Sequence, residues 1–66
     1  MTDFEAMRNT LIASGYEEDA GFIITTYENG SKDITLYKTI YMGNGHCEEI
    51  EFNFKYDENE KLKEIW

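Results

Sequence analysis

Apolar residues recur along this chain with two different periods. Between Asp3 and Ser14, Phe4, Met7 and Leu11 fall at i, i+3 and i+7. That spacing puts them on one stripe of a helix, with Ile12 on its flank. Thr2 stands at the N-cap position, and Glu5, three residues on, completes a capping box. Asp3 and Glu5 complement the positive helix N-terminus, and Gly15 supplies the left-handed residue that commonly ends a helix. Start, stripe and stop together predict a helix over about residues 3–14.

From Phe22 onward the period is two. Phe22 to Glu28 is rich in β-branched and aromatic residues, and Asn29-Gly30 marks a hairpin turn. Asp33 to Met42 sets Ile34, Leu36, Ile40 and Met42 on one face, interrupted by Lys38, and Thr35, Tyr37, Thr39 and Tyr41 on the other. Gly43-Asn44-Gly45 is a second turn. Cys47 to Tyr56 alternates again, with Ile50, Phe52, Phe54 and Tyr56 opposite Glu49, Glu51, Asn53 and Lys55. Asp57 to Glu60 reads as a third turn and Leu62 to Trp66 as a short last strand. The expected fold is α+β: one N-terminal helix packed on a four-stranded antiparallel meander sheet, α-β-β-β-β, in a single small domain over residues 1–66.

Register follows from the faces. A plain two-residue Asn44-Gly45 loop would set Ile40 opposite Glu49, apolar against charged. A loop of three or five residues, with a bulge, pairs even positions with even ones and matches Leu36 with Phe52 or Phe54. In the first hairpin, Phe22, Ile23 and Ile24 are all apolar, so its register stays open. That run suits a strand covered on both faces or an edge meeting another chain.

Charge changes the picture from fold to partners. Six Lys and Arg against fourteen Asp and Glu leave a net charge of −8. Such a field repels nucleic acid and anionic membrane and attracts basic protein surfaces. The apolar content of 41% and aromatic content of 15% oppose the disorder that acidity alone would suggest. No run of apolar residues exceeds three, and no basic-then-apolar segment resembles an export signal. Cys47 is the only cysteine. A reducing, cytoplasmic setting is therefore expected.

Candidate chemistry is sparse. His46 and Cys47 are adjacent on a strand, so their side chains point to opposite faces, poorly placed for nucleophilic catalysis. One His and one Cys fall short of a structural zinc site. Asp57 to Glu60 lacks the sixth-position Gly of a calcium loop, and Gly43-Asn44-Gly45 lacks the Lys and following helix of a phosphate cradle. No cofactor, metal or enzymatic activity is expected.

The face away from the helix remains. It should carry Tyr37 and Tyr41 on one strand and Glu49 and Glu51 on its neighbour, with Thr35, Thr39 and Asn53 between. Tyrosine supplies contact area at low entropic cost. Carboxylates two residues apart stand roughly 7 Å apart along a strand, a spacing similar to that of phosphates in a nucleic-acid strand. An ordinary solvated face would also hold Thr, Tyr and Glu, but it would mix in Lys. The expected function is a protein-binding module, an inhibitor that occupies the basic nucleic-acid-binding site of a partner enzyme. In type, though by no shared motif, it resembles the small acidic inhibitors with which phages and plasmids block defence nucleases. Glu17, Glu18 and Asp19 would support the contact electrostatically. The alternative is a structural or regulatory homo-oligomer, such as a homodimer, meeting through Phe22–Ile24 and Trp66; otherwise the last strand brings Trp66 in to close the core. Binding of a small molecule between chains is a minor third reading.

Overall fold

A computed structural model describes residues 1–66. Helix α1 spans Asp3–Ala13, and strands β1 (Phe22–Thr26), β2 (Lys32–Gly43), β3 (His46–Tyr56) and β4 (Leu62–Ile65) follow in chain order. They form one antiparallel sheet of order β1-β2-β3-β4, the expected meander.

Both helix ends are satisfied. Thr2 Oγ1 accepts from the Glu5 N–H at 3.1 Å, while the Thr2 N–H donates to Glu5 Oε1 at 3.0 Å. At the other end Gly15 takes φ +97°, its N–H donates to the Ile12 carbonyl, and the Tyr16 N–H donates to that of Leu11. These two bonds are the Schellman pattern. The helix buries Phe4 and Leu11 against Phe22, Ile34 and Tyr56 of the sheet; these five are the only buried residues, and the three on the sheet are fully so. Phe4 meets Tyr56 edge-on, with centroids 5.5 Å apart.

The register gathers the apolar side chains of β2 and β3 on one face, with Lys38 and Glu48 among them towards the second turn. Ile34 pairs with Phe54, Leu36 with Phe52, Lys38 with Ile50 and Ile40 with Glu48. The expected even-with-even pairing is present, but the loop is not simply longer. Gly43 pairs with His46 across a two-residue Asn44-Gly45 turn, and Met42 is an extra, bulged residue that restores the parity. Asn44 and Gly45 both have positive φ, as a type I′ turn requires. In the first hairpin Phe22 pairs with Leu36 and Ile24 with Ile34, so both face the helix and Ile23 faces away.

A second bulge reverses the end of the chain. Tyr56 pairs with Leu62, but Lys55 pairs with Glu64, leaving Lys63 unpaired. Without that extra residue Trp66 would lie opposite Phe52, on the helix side. Instead its N–H and carbonyl exchange hydrogen bonds with Asn53 at 2.9 and 2.7 Å, and Trp66 is 56% exposed on the opposite face. The expectation that Trp66 closes the core is thereby corrected.

The helix covers only part of the sheet. β1 ends at its pairing with Leu36, and β4 with its flanking Trp66 reaches only to Asn53. Beyond that row β2 and β3 continue alone as a two-stranded arm. The molecule measures 45 × 22 × 17 Å with a radius of gyration of 13.4 Å. A compact chain of this length would have a radius near ~11 Å.

Candidate protein-binding face

The sheet face away from the helix carries the odd-numbered positions of β2 and β3. Tyr37 pairs with Glu51, Thr39 with Glu49 and Tyr41 with Cys47, so the four residues singled out from the sequence share one face of the arm. Tyr41 is 83% exposed and Tyr37 half-buried. Thr35 Oγ1 donates to Asn53 Oδ1 at 3.0 Å, and Asn53 Nδ2 donates to Glu51 Oε2 at 3.4 Å. This short chain of bonds restrains Glu51 from the strand below it. Neither Glu49 nor Glu51 forms an ion pair. The one cation in this part of the arm, Lys38, belongs to the other face, and Lys55 stands two rows below Glu51, between Asp33 and Glu64.

The face extends further than the alternation of β2 and β3 indicates. Ile23, Thr35, Asn53 and Trp66 form one cross-strand row at the base of the arm. Ile23 is 39% exposed and Trp66 56%. An indole and an isoleucine thus border the tyrosines and glutamates. The sequence reading set Trp66 at a chain–chain interface or in the core; the Lys63 bulge sets it on this face. Phe22 belongs elsewhere: it is completely buried under the helix, so of the segment Phe22–Ile24 only Ile23 stands on this surface.

The loop of Glu17, Glu18 and Asp19 lies beside the same region. The Glu17 carbonyl accepts from the N–H groups of Ala20, Gly21 and Phe22, and Asp19, at φ +65°, donates to the Phe22 carbonyl. The Gly21 carbonyl accepts from the Tyr37 N–H at 3.2 Å, which fixes the loop along the outer edge of β2. Glu18 is paired with Arg8 at 2.9 Å, so its charge is largely compensated, whereas Glu17 and Asp19 make no ion pair.

Two other places offer polar chemistry. At the far end of the sheet, a groove of about 510 Å³ runs between the first and third turns, bordered by Tyr27, Asp33, Lys55, Asp57 and Lys63. Tyr27 donates to Asp33 Oδ2 at 2.5 Å, and this bond holds the phenol above its ordinary pKa, while Asp33 Oδ1 is buried with no partner. Asp33, Asp57 and Glu58 face Lys55 and Lys63 in the groove, so its charges nearly cancel. At the arm tip, His46 Nε2 lies 3.7 Å from Glu48, and Cys47 is exposed on the other face. No three His, Cys, Asp or Glu side chains converge in a way that could hold a metal ion. No helix is long and apolar enough to cross a membrane.

No family model, curated protein or solved structure matches the chain.

Proposed function

We propose that this chain is a small acidic protein-binding module, and that the Tyr37–Tyr41–Glu49–Glu51 face of its arm occupies the basic, nucleic-acid-binding surface of a partner protein. One observation carries the reading: two carboxylates without ion pairs and two tyrosines share an exposed stretch of strand face whose one cation, Lys55, stands two rows below them, within a chain of net charge −8. Carboxylates without local cations project a negative field outward, which steers a basic partner and accelerates encounter. Tyr37, Tyr41 and Trp66 supply the aromatic area on which interface energy concentrates. The reading includes an inhibitory role against a nucleic-acid enzyme, as in anti-defence proteins of viruses and mobile elements, exercised in the cytoplasm of the host cell.

The test is capture of partners from a lysate of the source cell on immobilised chain, eluted first with duplex DNA and then with salt. Release by DNA of a protein that binds nucleic acid supports mimicry. The double variant Glu49→Lys, Glu51→Lys should then lose that capture at least about tenfold. Retention of the same partner by the double variant, without salt dependence, refutes the reading.

A further inference from the structure

The arm has a second face, and nothing in the chain covers it. The helix packs on Phe22, Ile34 and Tyr56 and reaches Leu36 and Phe54 only at its margin. Past that margin Ile40 is 37% exposed and Phe52 38%, with Ile50 half-covered between them and Ile65, 59% exposed, beside Phe54. A two-stranded ribbon is marginal in water unless further strands or a packed layer support it. This one has neither.

We propose that this helix-side face is a two-fold homodimer interface, in which the arms of two copies stack antiparallel. Three observations select a second copy as the occupant. The first is charge. The face holds one cation, Lys38, and one anion, Glu48, on either side of the Ile40 and Ile50 positions. Lys38 has no ion pair in the chain, and Glu48 has only exposed His46 at 3.7 Å. In a molecule of net charge −8 this patch is locally neutral, so it neither selects a basic partner nor repels its own copy. A two-fold contact brings Lys38 of each copy within reach of Glu48 of the other, forming the pair twice.

The second observation is steric. The helix occupies this same face at the base of the arm, so stacking base on base would drive the two helices together. Antiparallel stacking places them at opposite ends. The arm from Leu36 to Gly43 spans roughly 24 Å, long enough for the bare parts to overlap.

The third is area. With a fully accessible large side chain near 150–250 Å², the exposed fractions of Ile40, Phe52, Ile50 and Ile65 and the stems of Lys38 and Glu48 amount to about 400–500 Å² per copy. Two copies bury about 800–1,000 Å², the size of a weak, reversible interface. This surface lies opposite the acidic Tyr/Glu face, so the dimer leaves two such faces free and directed away from each other.

Sedimentation equilibrium of the full chain over a wide concentration range tests the proposal, with circular dichroism confirming that each variant is folded. The chain should dimerise reversibly. Lys38→Glu sets like charges against each other and should weaken the dimer at least about tenfold. Adding Glu48→Lys restores the net charge and the pairing, and should recover the dimer. Ile23→Ser and Trp66→Ala, on the other face, should leave it unchanged. A chain that remains monomeric throughout, a dimer indifferent to Lys38→Glu, or one dissolved by the Ile23 or Trp66 change each overturns the proposal. Loss of partner capture by the Glu49 and Glu51 variant, with dimerisation intact, separates the two faces.

Discussion

Ile34 and Ile40 lie on one strand, on one face and six residues apart, yet Ile34 is fully buried and Ile40 is 37% exposed. Replacing each by alanine measures how far the core extends. At roughly 0.05–0.15 kcal/mol per residue, a chain of 66 residues is stable by about 3–10 kcal/mol, and five buried side chains place it in the lower half of that range. Ile34→Ala removes three carbons from between Ile24 and Phe54 beneath the helix, at about 2–5 kcal/mol with its cavity. The variant should be substantially unfolded in water at room temperature. Ile40→Ala removes the same atoms from an open face, where no cavity is enclosed. At about 0.8 kcal/mol per buried carbon, partial burial limits its cost to about 1–1.5 kcal/mol. Urea unfolding followed by circular dichroism, at a concentration where the chain is monomeric, should show a large fall in midpoint for the first and a small one for the second. Equal shifts would refute the confinement of the core to the helix-covered half of the sheet.

Three further outcomes follow from the ionisable groups and the cap. Burial first, and then the Asp3 carboxylate, push the Tyr56 phenol up to about 12. The folded state therefore holds a proton that the unfolded chain loses near pH 10, so stability is complete below pH 10 and declines as pH rises towards 12. Ultraviolet titration of Tyr56→Phe should lack a late ionisation present in the parent; an unchanged titration contradicts the burial. In acid the sign reverses. The Thr2 hydroxyl and then Lys32 hold Glu60 below its ordinary 4.5, backbone and side-chain bonds from Thr2 do the same for Glu5, and the Lys61 N–H lowers Asp57 below 3.8. Their stabilisation is complete above about pH 4.5 and disappears as pH falls through the lowered values. Glu60→Gln should flatten the acid limb of the urea midpoint, and an unaltered limb would remove Glu60 from the account. Thr2→Ala should cost about 1 kcal/mol through loss of the cap, read as a lower midpoint that Thr2→Ser restores.

The helix was legible because its start, stripe and stop are encoded locally, within Thr2 to Gly15. The pairing of β2 with β3 was legible for a different reason. A one-residue slip would carry Ile34, Leu36, Phe52 and Phe54 to the charged side, so burial alone fixes the parity. That parity also placed Tyr37, Tyr41, Glu49 and Glu51 together. The same logic called for a bulge at the second turn but did not place it, and the bulge in β4 escaped it because that strand is only four residues long. Met42 stands as the bulged residue beside a two-residue turn, and Lys63 moved Trp66 from the helix side to the opposite face. The bareness of the arm was hidden for a metric reason. Eleven helical residues cover about 16 Å, whereas the twelve residues of β2 extend about 40 Å.

The N-terminal cap of the helix is completed from the far end of the chain. Thr2 Oγ1 lies 2.8 Å from Glu60 Oε1, the Phe4 N–H donates to the Glu60 carbonyl at 3.0 Å, and the Leu62 N–H donates to Asp3 Oδ2 at 2.9 Å. An isolated helix of this length is marginal in water. These contacts exist only after nearly the whole chain has closed, while each hairpin closes over a few residues. This separation predicts an order of folding in which the hairpins form the nucleus and the helix docks after the rate-limiting step. Leu11→Ala should accordingly speed unfolding and leave the folding rate almost unchanged in stopped-flow measurements, a φ-value near zero. Loss of stability expressed mainly as slower folding would reverse that order.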